Sequence, residues 1–137
     1  MTTGLITQVG TTVSLTKALS SADVALFTLV ADDLQPAEED PAKRVSAEEE
    51  RARVPSALLA ALMTSAALKH AGGHAAAEIE QVEVRFAGDA WVGDTLTATA
   101  AVAASDPATG TLRVQAHCAN EAGAPLADGQ IILRARV

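Results

Sequence analysis

The side chains best suited to bind a metal or attack a substrate in this sequence are His70, His74, His117 and Cys118. His70 and His74 stand four residues apart, the spacing of paired zinc ligands on one helix face. Gly72 and Gly73 lie between them and end the helix, and no third ligand follows at a matching distance. His117 and Cys118 are neighbours in an alternating segment, so they face opposite sides. A metal site needs three or four convergent ligands, so none is expected. Cys118 reads as a small buried hydrophobe. A single cysteine permits no intrachain disulfide and lends no support to secretion. No G-x-S-x-G, P-loop or dinucleotide fingerprint occurs, so no cofactor is expected. Ser56, Thr64 and Ser65 are the hydroxyls of an otherwise apolar stretch. Thr64 and Ser65 are expected to bond back to a helix carbonyl. Ser56 is placed to cap the helix or to line a cavity beside it. The run Glu38-Glu39-Asp40 reads as a solvated face.

These residues are organised around residues 54–73, VPSALLAALMTSAALKHAGG. The stretch is dense in Ala, Leu and Met, strong helix formers. Pro55 suits the first turn, where its missing N–H costs nothing. Lys69 and His70 suit the negative end of the helix dipole. With no polar face, the helix is expected to be buried all round. At roughly 24 Å it is too short and too Ala-rich to be read as a membrane span.

The rest of the chain supplies the wrapping. Residues 11–19 alternate as a strand with Val13, Leu15 and Ala18 inward. Ser20 and Asp23 match a capping box. A short helix over residues 22–31 is expected to bury Val24, Phe27 and Leu29 or Val30. Residues 37–53 form a charged surface excursion of a length usually tied to function or mobility. Four strands follow, over residues 77–87, 95–104, 111–120 and 125–137, joined by turns at Gly93-Asp94, residues 105–110 and residues 121–123. One long antiparallel sheet curled around one apolar helix is the α+β hot-dog architecture, read here as a single domain over residues 1–137.

Of 137 residues, 49% are hydrophobic, enough for a substantial core. Aromatics are limited to Phe27, Phe86 and Trp91, so the core must be built from aliphatic side chains. Seventeen acidic against ten basic residues give a formal charge of −7, which argues against a nucleic-acid surface. Arg53, Lys69 and Arg85 are candidates to gather at one mouth and hold an anionic ligand. No basic segment followed by an apolar run opens the chain. A cytoplasmic protein that binds neither membrane nor nucleic acid is expected.

The chain resembles the MaoC-like hot-dog proteins, which include (R)-specific enoyl-CoA hydratases and related acyl-thioester dehydratases. SSADVALFTLVADDLQPAEED stands where that family has a short helix followed by a G-D-x-N-P-x-H-x-D type motif. VPSALLAALMTSAA stands where it begins its central helix with an H-G-M-L-T-A type sequence. VEVRFAGDAWVGDTLTATAAV is similar to its V-R-F-x-x-P-V-x-x-G-D-T-L stretch. In the family an Asp and a His handle a water beside the α,β-double bond of a thioester. A backbone N–H at the start of the central helix stabilises the enolate oxygen.

The resemblance places the motif Asp on Asp33, the Asn on Gln35, the Pro on Pro36 and the His on Glu38. The His-Gly of the helix start falls on Pro55-Ser56. A close Asp33–Glu38 pair would titrate as a coupled dyad, one carboxyl protonated while the other stays ionised. The implied activity is hydration or dehydration of an acyl-CoA or acyl-carrier-protein thioester. Asp33 would be base, Glu38 proton donor and the Ser56 amide oxyanion donor, with Gln35 and Pro55 beside the substrate. Two alternatives remain open. One is a catalytically degenerate module that binds an acyl thioester or other apolar ligand. The other is a divergent enzyme on a small apolar substrate. A thioesterase with a carboxylate on the central helix is disfavoured, because none lies between Val54 and Ala77. The resemblance also implies a homodimer.

Overall fold

A computed structural model describes residues 8–31 and 53–136. The elements run β1 (Thr12–Ala18), α1 (Ser21–Ala31), α2 (Ser56–Lys69), β2 (Ala77–Phe86), β3 (Thr95–Asp106), β4 (Thr111–Ala119) and β5 (Pro125–Ala135). The five strands form one sheet in the order β1-β3-β4-β5-β2, every pair antiparallel. α2 packs on one face of this sheet, chiefly against β3 and β4. This is the hot-dog architecture.

Alternation sets the two faces of the sheet. Leu96, Ala98, Ala100 and Val102 of β3 point inward, as do Leu112, Val114, Ala116 and Cys118 of β4 and Ile131 and Leu133 of β5. They meet Leu59, Met63, Ala66 and Ala67 of α2. Burial pushes the Cys118 thiol up to about 11. On the outer face hydroxyls pair across β1 and β3, Ser14 with Thr99 and Thr16 with Thr97, each at 3.2 Å.

Three local readings change. α2 is wrapped by the sheet on one side only: Ser56, Ala57, Ala61, Ser65 and Lys69 form an exposed stripe along it. Alanine suits either environment, so composition alone does not say which side faces the sheet. In α1 the capping box forms: the Ser20 amide donates to Asp23 Oδ2 at 2.9 Å and the Asp23 amide to Ser20 Oγ at 3.1 Å. Its inward face carries Val24 and, half-buried, Phe27. Leu29 and Val30 lie off that face and are 57% and 85% exposed. In β1 Ala18 is exposed, while Val13 and Leu15 are half-buried as expected.

β2 carries a bulge. Ile79 pairs with Leu133 and Gln81 with Ile132, leaving Glu80 as the extra residue. The bulge puts Ile79 and Val82 on one face although they are three residues apart. Gly129 of β5 allows β2 to approach closely: a Cβ there would meet the Glu83 carbonyl oxygen and lie 2.8 Å from Val84 Cα.

Among the described residues no helix is long and apolar enough to cross a membrane.

Candidate functional site

The start of α2 is held by the backbone on one side and open on the other. The Val54 amide donates to the Ala90 carbonyl at 2.7 Å, and Arg53 bridges to Trp91 in the segment after β2. Pro55, with φ −58° and ψ 136°, is the N-cap and supplies no side-chain hydrogen bond. Its carbonyl accepts from Leu58 at 2.9 Å. Among the described residues no group accepts from the amides of Ser56 or Ala57, and both residues are exposed. The first N–H groups of a helix need partners from outside it. Here two of them point out at the positive end of the helix dipole, where an oxygen gaining negative charge is stabilised.

Ser56 therefore does not cap the helix through its own hydroxyl. Thr64 bonds back to the Ala60 carbonyl at 2.8 Å as expected, while Ser65 is exposed and makes no such bond. Of the remaining sequence-predicted site residues, Pro55 precedes the open amides directly. Asp33, Gln35 and Glu38 lie outside the described residues, as does Pro36.

The other end of α2 is closed. His70 is 8% exposed and its Nε2 lies 2.8 Å from the Ala100 carbonyl oxygen, to which it must donate. Gly72 and Gly73 follow with positive φ of 92° and 101°, and the Gly73 amide reaches back to the Leu68 carbonyl at 2.8 Å. The His70 ring thus ties the helix end to β3. His74 is exposed, and its carbonyl accepts from Arg136. Among the described residues no group of His, Cys, Asp and Glu has the geometry of a metal site.

The proposed cationic mouth does not form. Arg53 and Lys69 flank opposite ends of the 14-residue α2, about 20 Å apart at 1.5 Å per residue. Arg85 alternates with the half-buried Val84 on β2 and so faces the outer side of the sheet. There it borders a polar depression of about 410 Å³ with Glu83, Gln115, Asp128 and Gln130. That depression lies across the sheet from α2. Nothing in the sequence pattern marked it, because its residues come from three strands that only the register brings together.

A sheet in this order with one helix across its inner face occurs in solved structures. An (R)-hydratase from A. caviae involved in PHA biosynthesis superposes with a TM-score of 0.75 at 25% identity, covering 93% of this chain and 96% of that one. The fold is that of the MaoC-like hot-dog proteins. The R-hydratase PhaJ1 from Pseudomonas aeruginosa gives a TM-score of 0.76 at 23% identity, over 93% of this chain and 81% of that one. A chain of the ChsH1–ChsH2 complex from Mycobacterium tuberculosis gives 0.74 at 21% identity, over 96% and 100%. Thioesterases are also among the matching structures, so the MaoC-like fold alone does not fix one reaction. No family model and no curated protein sequence matches the chain.

Proposed function

We propose that this MaoC-like chain hydrates a 2-enoyl thioester, carried on coenzyme A or on an acyl carrier protein, and runs the reverse dehydration. The observation that carries this reading is the uncapped start of α2, with the Ser56 and Ala57 amides exposed and without acceptors among the described residues. In the hydration direction Asp33 takes a proton from water and the oxygen adds to the β-carbon. The π electrons move to the thioester oxygen, where the Ser56 amide stabilises the enolate. Glu38 then delivers a proton to the α-carbon and is left ionised. Solvent then carries the proton from Asp33 back to Glu38, so both carboxyls regain their starting states and each turnover consumes one water. Gln35 and Pro55 lie beside the substrate in this reading. The protein works as a homodimer in the cytoplasm.

The test is loss of the enoyl absorbance of crotonyl-CoA across a pH series, with thioester cleavage followed in parallel by thiol release. The expected result is a bell-shaped rate profile. Asp33→Asn lowers the rate by about 10²–10⁴-fold, and Glu38→Ala removes one limb of the bell. Hydration absent at every pH, or unchanged in Asp33→Asn, overturns the reading. Tight binding without turnover would identify a binding module, and thiol release without hydration a thioesterase.

A further inference from the structure

The outer face of the sheet divides into two parts. In one, the polar side chains satisfy each other. Arg134 pairs with Glu80 and Arg136 with Glu78. Arg113 donates to the side-chain oxygen of Gln130 at 3.1 Å, and hydroxyls pair across β1 and β3. In the other part, around the depression of about 410 Å³, they do not. Among the described residues the side chains of Glu83, Arg85 and Asp128 take part in no ion pair and no hydrogen bond. Yet Arg85 stands directly opposite Asp128 in the register.

Register sets these groups in a grid. Arg85, Asp128 and His117 form one row across β2, β5 and β4, and Glu83, Gln130 and Gln115 form the next. Strands lie about 5 Å apart, and the two rows about 7 Å apart along them. Glu83 and Asp128 therefore hold one diagonal of a square, with Arg85 and Gln130 at its other corners. Diagonal neighbours stand about 7–8 Å apart, within reach of long side chains that lean inward from both ends. Gly129 sits between Asp128 and Gln130 on the opposite face, and its missing Cβ lets β2 lie close to β5 at this level. The square holds two carboxylates and one guanidinium, a formal charge of −1.

We propose that this square binds a small zwitterion of the α-amino acid class. An ammonium group at its centre meets a carboxylate on either side, Glu83 and Asp128. The ligand's own carboxylate then faces Arg85, whose planar fork takes both oxygens at once. An α-amino acid carries the two groups on one carbon, so a single small molecule serves the diagonal and the Arg85 corner together. A free anion beside Arg85 is repelled by the two carboxylates, and a free cation between them is repelled by Arg85. Either alone gains less than a ligand that carries both charges. The amides of Gln115 and Gln130 border the space left for its side chain. No ion pair among the described residues has to break for the ligand to enter. Charged groups on an open face interact weakly, so a dissociation constant of about 0.1–1 mM is expected. The square lies across the sheet from the open start of α2, and it does not depend on the chemistry assigned there.

Titration of the full chain with glycine, L-serine and L-glutamine in turn, followed by nitrogen–proton correlation spectra, tests it. At least one of the three is expected to shift the backbone amides of Arg85, Asp128 and Gly129 and the side-chain amides of Gln115 and Gln130, saturably, with a dissociation constant of about 1 mM or below. The amides of Ser56 and Ala57 stay in place. Acetate and methylammonium, each carrying one of the two charges, bind at least about tenfold more weakly. Glu83→Gln, Arg85→Gln and Asp128→Asn each raise the constant by about tenfold or more, with circular dichroism confirming that each variant is folded. Glu80→Gln, at a carboxylate already paired with Arg134, leaves it unchanged. No saturable shift with any of the three amino acids up to about 10 mM overturns the proposal. So does equal binding of acetate or methylammonium, an unchanged constant in Arg85→Gln, or an equal loss in Glu80→Gln. None of these outcomes involves a thioester, so failure of this site and failure of the catalytic reading are separately visible.

Discussion

The two ends of α2 are built to opposite standards. At the C-terminal end His70 is buried and bonded to β3, the glycines turn the chain back onto the last carbonyls, and Ala66, Ala67 and Ala71 are fully enclosed. At the N-terminal end Pro55 offers no side-chain cap, and two amides are left without acceptors among the described residues. α1 sharpens the contrast, because its own start is closed by the Ser20–Asp23 box. A cap is worth about 1 kcal/mol. A chain that caps one helix and leaves the other open has forgone that stability where a ligand oxygen would need the donors.

The contrast breaks most visibly at Ser56. Ser56→Pro removes one N–H and nothing else the helix uses. Proline suits the first helical position, and Pro55 already has the extended ψ that a following proline requires. The enoyl-thioester hydration rate is expected to fall by about 10²–10³-fold, with the thermal midpoint unchanged. An unaltered rate would remove the amide from the chemistry. His70→Ala makes the complementary cut at the closed end. It leaves the Ala100 carbonyl without its imidazole donor and is expected to cost about 1–3 kcal/mol in urea unfolding, with little change in rate per folded molecule.

Pro55→Asp closes the open end. It is expected to gain about 0.5–1 kcal/mol as a cap and to slow turnover, since a carboxylate then sits where enolate charge would develop. A variant both more stable and equally active would show that the open end serves no ligand. The smallest effect concerns α1. Hydrogen bonds from Ser20, with Lys17 nearby, hold the Asp23 carboxyl below its ordinary value. A carboxyl whose folded pKa lies below its unfolded value stabilises at pH above the unfolded value and loses that contribution as pH falls through the folded one. Asp23→Ala should therefore lower the melting temperature slightly at pH 7 and negligibly at pH 2. An equal difference at both would assign the effect to packing.

The core strands were readable because their alternation is strict: Leu112, Val114, Ala116 and Cys118 could face only one way. The capping box was readable because its bonds are local. What escaped the sequence depends on partners far along the chain. The open side of α2 escaped because Ala57 and Ala61 are equally at home in core and solvent. The exposure of Ile79, Val82 and Phe86 on β2 escaped because they carry the pattern of a covered strand, and strand order alone puts them at an edge. Arg53, Lys69 and Arg85 looked able to converge until helix length and strand phase separated them. Of the candidate site, Pro55 and Ser56 marked the helix start, but not that it is uncapped, because a serine there is equally suited to cap. Asp33, Gln35 and Glu38 rest on the family resemblance.

Cys118 turns the sheet into its own clock. It is the sole thiol of the chain, buried under β4, with a pKa pushed up to about 11. Alkylation at pH 8 therefore waits for the moment when helix and sheet part. Its rate counts those partings in the resting molecule, with no dye, tag or added residue.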